Sequence, residues 1–191
     1  MELTLTQLRA DFEKKANRSM SMPIAGLLVW CLILGIGQMF PTKTAIVYML
    51  FASGLIFPLA LLVAKYRQED LFIKNNPLGK LIMVGLVMAN TLWVLHILLM
   101  FVQPQLVPYS LSLALAIHWP LYGWIIQDKL GSIHLMMRAF GLFAAFLWLP
   151  FNSIVNAAIV TILCYAITLV QMSLRSLPEQ ELASAQTVGS E

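Results

Sequence analysis

Residues 22–40 read MPIAGLLVWCLILGIGQMF, a run without a single Asp, Glu, Lys or Arg. As a helix this run is roughly 28 Å long at 1.5 Å per residue, close to the thickness of the hydrocarbon core of a bilayer. Five further apolar runs follow along the chain. We therefore predict an all-α integral membrane bundle of six transmembrane helices, arranged as three hairpins, with spans at 22–40, 44–64, 81–101, 106–127, 132–149 and 154–174.

The composition agrees with this class. The chain is 60% hydrophobic and only 11% charged, with a mean hydropathy of +0.81, whereas about a quarter of the residues of a soluble domain are charged. No soluble module is long enough to fold alone. We predict a cytoplasmic amphipathic helix in residues 1–21, one transmembrane domain in residues 22–174, and a disordered cytoplasmic tail in residues 175–191.

The basic residues predict the orientation. With six spans, every Lys and Arg except Lys43 falls on the side of the N-terminus. Cytoplasmic connections are enriched in Lys and Arg, so both termini should be cytoplasmic. The net charge of +3 then needs no nucleic acid as a partner, because a basic inner face suits the anionic headgroups of the lipid bilayer.

The acidic residues restrict the function. None of the nine Asp and Glu residues lies in a predicted span, and ion-coupled transport and membrane-embedded acid–base catalysis usually rely on buried carboxylates. We expect no catalytic residue, no metal site and no cofactor, and we do not favour an enzyme. Six spans are few for an alternating-access carrier, so a carrier function would require a homo-oligomer.

The segment before the first span has a helical pattern. Thr4 and Gln7 have the spacing of a capping box, and an apolar stripe follows at Leu5, Leu8, Phe12 and Ala16. The interpretation that we favour is a helix lying on the inner membrane surface. The alternative is a helix that binds a partner or gates the bundle.

Two spans contain a proline away from their ends. Pro58 and Pro120 should each kink a helix and free the carbonyl four residues earlier, at Gly54 and Ala116 respectively. A carbonyl freed at membrane depth needs a partner from a neighbouring helix, water or a ligand.

The fourth span carries the most polar part of the interior. His118 lies near its middle, Trp119 is adjacent, and Tyr122 is one turn away on the face of His118. The interpretation that we favour for His118 is a hydrogen bond to a neighbouring helix or to a freed carbonyl. The alternative is that His118 and Tyr122 face a small-molecule ligand. The candidate ligand-binding residues are His118, Tyr122, His96, Asn90, Trp119, Arg138 and Asn156.

The other candidates have simpler interpretations. His96 and His118 would supply two haem-ligating imidazoles, but their depths of roughly 10 and 16 Å do not match, so haem is not favoured. Arg138, with His134 one turn earlier, should snorkel to the headgroups; the alternative is a cation that binds an anion or a headgroup. Asn90, Thr91 and Asn156 should form interhelical hydrogen bonds.

Three short patches together resemble a known family. They are LRADF at residues 8–12, NPLGKL at 76–81 and HWPLYGWIIQ at 118–127. The chain resembles a family of small, uncharacterised six-helix bacterial membrane proteins, classed as a domain of unknown function. The resemblance implies a multi-pass protein of the bacterial cytoplasmic membrane, and no functional residue can be carried over.

Two functions therefore remain in balance. The first is binding or passing an unknown small neutral or lipid-like molecule, through the kinked spans and the His118/Tyr122 face. The second is a structural or accessory role exerted through helix–helix contacts. A membrane enzyme or a haem-binding redox protein is the third class and is not favoured.

Overall fold

A computed structural model describes residues 3–175, and within that range the chain is helical and contains no strand. The predicted tail lies outside the described residues apart from Arg175. The ten α-helices of the described range are α1 Leu5–Ala16, α2 Ser21–Met39, α3 Thr42–Ser53, α4 Ile56–Arg67, α5 Pro77–Thr91, α6 Trp93–Val102, α7 Val107–Ala114, α8 Trp119–Ile125, α9 Leu130–Trp148 and α10 Ser153–Leu174.

Helical runs long and apolar enough to cross a membrane confirm the predicted class; some of these runs join two of the helices above. Within the described residues there are five of them: Leu5–Met39, Thr42–Arg67, Pro77–Val102, Leu130–Trp148 and Ser153–Leu174. The run predicted as the fourth span, residues 106–127, differs from the others. It is divided between α7 and α8, which have 8 and 7 residues, and neither is long enough to cross alone.

The second and third apolar runs are also interrupted, though less widely. Between α3 and α4 the chain tightens, with Leu55 N donating to Ala52 O at 2.9 Å, and Pro58 lies in the first turn of α4. The predicted proline kink is therefore confirmed as a break. Between α5 and α6 Leu92 N donates to Ala89 O at 3.2 Å; no proline marks this break, and the sequence pattern did not predict it.

The break between α7 and α8 frees the carbonyl of Ser112, whereas the sequence predicted a free carbonyl at Ala116. Trp119 N donates to Ala116 O at 3.1 Å, so the prediction that Pro120 leaves the Ala116 carbonyl free is wrong. Ala116 N, which would normally donate to Ser112 O, donates instead to Leu113 O at 2.9 Å. The tightened turn therefore makes the Ser112 carbonyl available to a side chain.

Helix α10 lies at the centre of the bundle. It packs along α2 and α9 and also contacts α7, while α2 packs against α3 and α4. Trp30 and Ile33 of α2 and Ile154 of α10 are fully buried in this core. The α5–α6 segment lies at the periphery and contacts α1, α7 and α8, so most of its apolar surface is exposed.

Helix α1 is docked on one end of the bundle. The predicted capping box is confirmed, since Gln7 N donates to Thr4 Oγ1 and Thr4 N donates to Gln7 Oε1. Phe12 and Ala16 of the predicted stripe are each 3% exposed because they pack into the bundle. Half of the stripe therefore packs against other helices of the bundle. This differs from the interpretation of α1 as a helix that lies only on the membrane surface.

The backbones of α8 and α9 are in direct contact. A Cβ atom at Gly131 would overlap the carbonyl oxygen of Trp119, and one at Gly123 would lie 2.7 Å from Asp128 O. Two glycines are required here because the short turn brings α9 back against α8. The contact positions the backbone of Trp119.

Gly131→Ala is expected to lower the free energy of unfolding by about 2 kcal/mol, because the added Cβ must push α8 away from α9. Gly35→Ala is the matched control: Gly35 lies inside α2 with no atom within 4 Å of an added Cβ, so the change should be neutral or stabilising by up to about 1 kcal/mol. Thermal unfolding of both variants in detergent measures the difference. Equal stability of Gly131→Ala and the wild type would contradict the close approach.

Candidate functional site

A cavity of about 100 Å³ lies beneath α1, between α4, α5 and α8. Its walls are mainly apolar. Phe57, Phe72 and Met83 line it and remain 38–43% exposed, so the cavity opens through an apolar side of the bundle. The other apolar lining residues include Phe12, Met22, Pro23, Leu71, Ile82, Leu86 and Met172.

Helix α8 contributes the polar and aromatic wall. His118, Trp119 and Tyr122 all line the cavity. The Nδ1 atom of His118 is buried and has no hydrogen-bond partner within residues 3–175. The Tyr122 hydroxyl donates to Arg18 O at 3.2 Å, so it is already engaged. Among these three side chains, His118 is the one with a buried polar atom that has no partner.

Gly85 allows α5 to approach this wall. A Cβ atom there would lie 2.8 Å from Leu121 Cδ2 and 3.6 Å from His118 Cβ. The close approach of α5 to α8 closes the side of the cavity behind His118 and leaves the opening between α4 and α5.

Asn76 fixes α1 over the cavity. Its Nδ2 donates to Leu8 O and to Asp11 Oδ2, each at 2.8 Å, and its Oδ1 accepts from Leu78 N at 2.9 Å and so caps α5. Lys15 forms an ion pair with Asp11 at 2.8 Å. The hydrogen bonds from Lys15 and Asn76 hold the pKa of the Asp11 carboxyl below its usual value.

Charged side chains complete the attachment of α1 by capping helix ends. Arg18 Nη1 donates to the carbonyls of Met172, Ser173 and Arg175 at the end of α10, at 2.7–2.9 Å. The buried Glu69 carboxylate accepts from Ser21 N at 2.8 Å at the start of α2. Arg175 pairs with Glu13. The sequence indicated a basic rim but not these pairs, which join residues far apart in the chain.

A second aromatic and polar group lies behind Trp119. The Trp119 ring stacks on His134 with centroids 4.0 Å apart and an interplanar angle of 23°. Tyr165 contacts His134 at 5.5 Å, and the Arg138 guanidinium lies 4.3 Å from the Tyr165 centroid. Arg138 is 0% exposed. The prediction that Arg138 snorkels to the headgroups is wrong, because its face of α9 packs inward.

Three candidates lie away from the cavity. His96 is buried between α6 and α7, with its Nδ1 3.0 Å from Ser110 Oγ. Asn156 donates to Tyr109 Oη and to the carbonyls of Leu149 and Phe151, so its predicted interhelical bonding is confirmed. Asn90 is exposed and donates to Leu86 O of its own helix at 2.8 Å.

The interhelical prediction is therefore wrong for Asn90. It is also wrong for Thr91, whose hydroxyl donates to Met88 O of the same helix at 2.6 Å. Of the seven candidates the structure brings His118, Trp119 and Tyr122 to one cavity, with Arg138 connected to them through His134 and Tyr165.

Comparison with known protein families shows which family the chain belongs to. A model of a family of unknown function, DUF7010, matches residues 5–175. The chain belongs to this family. The match covers every helix described above, which confirms the expected membership of an uncharacterised helical family. No curated protein and no solved structure matches the chain significantly.

Asn76→Ala is expected to cost about 2 kcal/mol of stability, because a fully buried side chain loses three hydrogen bonds and the cap of α5. Trypsin should then cleave faster after Arg9, Lys14 and Lys15, since α1 detaches. Asn90→Ala, an exposed amide bonded to its own helix, is the control and should change stability by no more than about 0.5 kcal/mol. Equal cleavage rates in the two variants would contradict the docking of α1 through Asn76.

Proposed function

We propose that this protein binds a neutral, lipid-like molecule in the cavity beneath α1, with its apolar part against α4 and α5 and a polar group at His118. The observation that carries the proposal is the combination of apolar walls with one buried, unpartnered ring nitrogen, Nδ1 of His118. Ligand sites typically combine a mainly apolar lining with a few convergent polar groups.

The chemistry of the lining favours a neutral ligand. Burial of apolar surface contributes roughly 25 cal/mol per Å², so a hydrocarbon chain gains free energy in these walls. A neutral imidazole can donate to a hydroxyl or to an ester carbonyl, or accept from a hydroxyl. Among residues 3–175, Asp70 is the one acid in the lining, and it caps the turn that follows by accepting from Phe72 N and Ile73 N.

We further propose that the chain crosses a bacterial cytoplasmic membrane six times, with α7 and α8 together making the fourth crossing and both termini inside. Arg9 Nη2 donates to Trp124 O near the end of α8, at the end of the bundle that α1 covers. Tyr109 near the start of α7 meets Asn156 beside the α9–α10 turn, at the opposite end. The cavity would then lie at the level of the inner leaflet.

Cysteine labelling tests this topology. In a background in which Cys31 and Cys164 are replaced by Ala, Lys43→Cys should react with a membrane-impermeant maleimide added to intact cells. Lys129→Cys is the matched control on the other side and should react only in inverted vesicles. Labelling of residue 43 from the inside, or of both positions from one side, would contradict the proposed crossings.

Filling the cavity tests the binding site. Leu86→Trp places an indole in the cavity, whereas Val87→Trp adds the same ring at the next residue of α5, which is 62% exposed and does not line the cavity. With 1-oleoylglycerol at ten times its Kd, the Tm of the wild type and of Val87→Trp should rise by about 4 °C. Leu86→Trp should show no rise and His118→Ala a smaller one.

The same experiment bears on the alternative, a structural or accessory role through helix contacts. That alternative is favoured by the exposed apolar face of the α5–α6 segment, which includes Met88, Leu98 and Phe101. If Leu86→Trp responds like the wild type, or if no variant responds, the binding function fails and the accessory role becomes the better account.

A further inference from the structure

Arg138 and His134 form a buried polar pair on α9 that the cavity does not include. Both side chains are 0% exposed, and their spacing of four residues places them one turn apart on one face. Tyr165 of α10 contacts both of them. This pair is distinct from the proposed lipid-like site, although Trp119 lines the cavity and also stacks on His134.

Within residues 3–175 the charge of Arg138 has no ionic partner. A guanidinium stays protonated in proteins, and no Asp or Glu of residues 3–175 forms an ion pair with it. Asp128 precedes it by ten residues, roughly 15 Å along the helix axis, and binds Arg175 at 3.3 Å. A buried charge is costly unless it is paired, so the site favours a negative group.

The neighbours of Arg138 offset only part of this charge. Nη1 donates to the Ser112 carbonyl, which the α7–α8 break makes available, at a long 3.3 Å. The Tyr165 ring supplies a cation–π contact at 4.3 Å. Both are dipolar or quadrupolar interactions, and neither supplies a full negative charge.

The remaining donors of Arg138 have the geometry of an anion fork. Nε and Nη2 are buried and have no nitrogen or oxygen hydrogen-bond partner within the described residues; the neutral thiol of Cys164 lies close to the guanidinium and supplies no negative charge. These two N–H groups lie side by side on one edge of the guanidinium. That edge matches two oxygens of a carboxylate or phosphate in a bidentate pair.

His134 can supply a third donor. Its Nδ1 lies 2.7 Å from Thr168 Oγ1. When the Thr168 hydroxyl donates this hydrogen bond, Nδ1 is the acceptor and the neutral imidazole carries its own proton on Nε2. Nε2 is buried and has no partner among residues 3–175. A neutral His134 in this tautomer therefore presents an N–H one turn from the fork of Arg138.

We propose that Arg138 and His134 bind a compact oxyanion, such as phosphate, sulfate or a carboxylate, in the interior between α7, α9 and α10. The anion would neutralise the guanidinium and accept from Nε and Nη2 of Arg138 and Nε2 of His134. Its source is either a free inorganic anion or the headgroup of an anionic lipid, because both present the same oxygens.

Thermal unfolding of the full chain tests the proposal. In a neutral detergent at constant ionic strength, inorganic phosphate at 100 times its Kd should raise the Tm of the wild type by about 7 °C relative to chloride. Arg138→Met, which keeps an unbranched side chain and removes the charge, should abolish this rise. Lys129→Gln, an exposed cation at the start of the same helix, should keep it.

A second arm separates the two sources. In phosphate-free nanodiscs, replacing part of the phosphatidylcholine with phosphatidylglycerol should raise the Tm in an Arg138-dependent way if a headgroup is the ligand. A rise with free phosphate alone identifies an inorganic anion. No Arg138-dependent rise in either arm, or an equal loss in Lys129→Gln, overturns the proposal.

If Arg138→Met does not fold, His134→Phe tests the proposal in its place. This variant keeps an aromatic ring against Trp119 and removes the Nε2 donor, so the Kd of whichever anion stabilises the wild type should rise about tenfold. An unchanged Kd would overturn the assignment of the site to this pair.

Discussion

The tight turn at residues 115–118, which divides the fourth apolar run, determines the arrangement of the polar interior. Because Ala116 N donates to Leu113 O, the Ser112 carbonyl becomes available and Arg138 donates to it. The same turn starts α8 at Trp119, which lines the cavity beside His118. In a continuous helix the Ser112 carbonyl would accept from Ala116 N and would not be free for Arg138. The side chains of His118 and Trp119 would also point in different directions.

The charged residues at the end of the bundle that α1 covers also stabilise the helix ends, in addition to indicating the orientation. Helix ends leave backbone groups without intrahelical partners. Arg18 satisfies carbonyls at the end of α10, Glu69 satisfies amides at the start of α2, and Asn76 caps α5. Since Arg18 and the partners of Asn76 belong to the α1 region, the same bonds that complete the helices also hold α1 over the cavity.

The sequence was sufficient for the class, for most helix positions and for the grouping of His118 with Tyr122. Apolar length predicted membrane helices, the spacing of Thr4 and Gln7 predicted the cap of α1, and the one-turn spacing of His118 and Tyr122 correctly suggested a common face. These features depend on residues close together in the chain. The break at Leu92 has no proline, and the carbonyl released near Pro120 depends on which i→i+3 bonds form, so neither could be predicted from the pattern.

The position of Arg138 shows the corresponding limit for tertiary contacts. Helix α9 is apolar around most of its circumference, so the pattern does not identify the face that packs against α7 and α10. The position of Arg138 near the end of its run favoured snorkelling without excluding burial, and packing against Tyr165 decided between them. For the same reason the exposed position of Asn90 and the engagement of His96 with Ser110 followed only from the assembled bundle.

The central claim is that a broken fourth segment turns His118 and Trp119 toward a cavity that holds a lipid-like molecule. An experimental structure of the full chain in lipid nanodiscs, with side chains resolved, tests it most directly. The account predicts separate helices on either side of residues 115–118, and elongated density between α4 and α5 that reaches His118. A continuous helix through residues 107–125, or a cavity filled by the protein's own side chains, would contradict it.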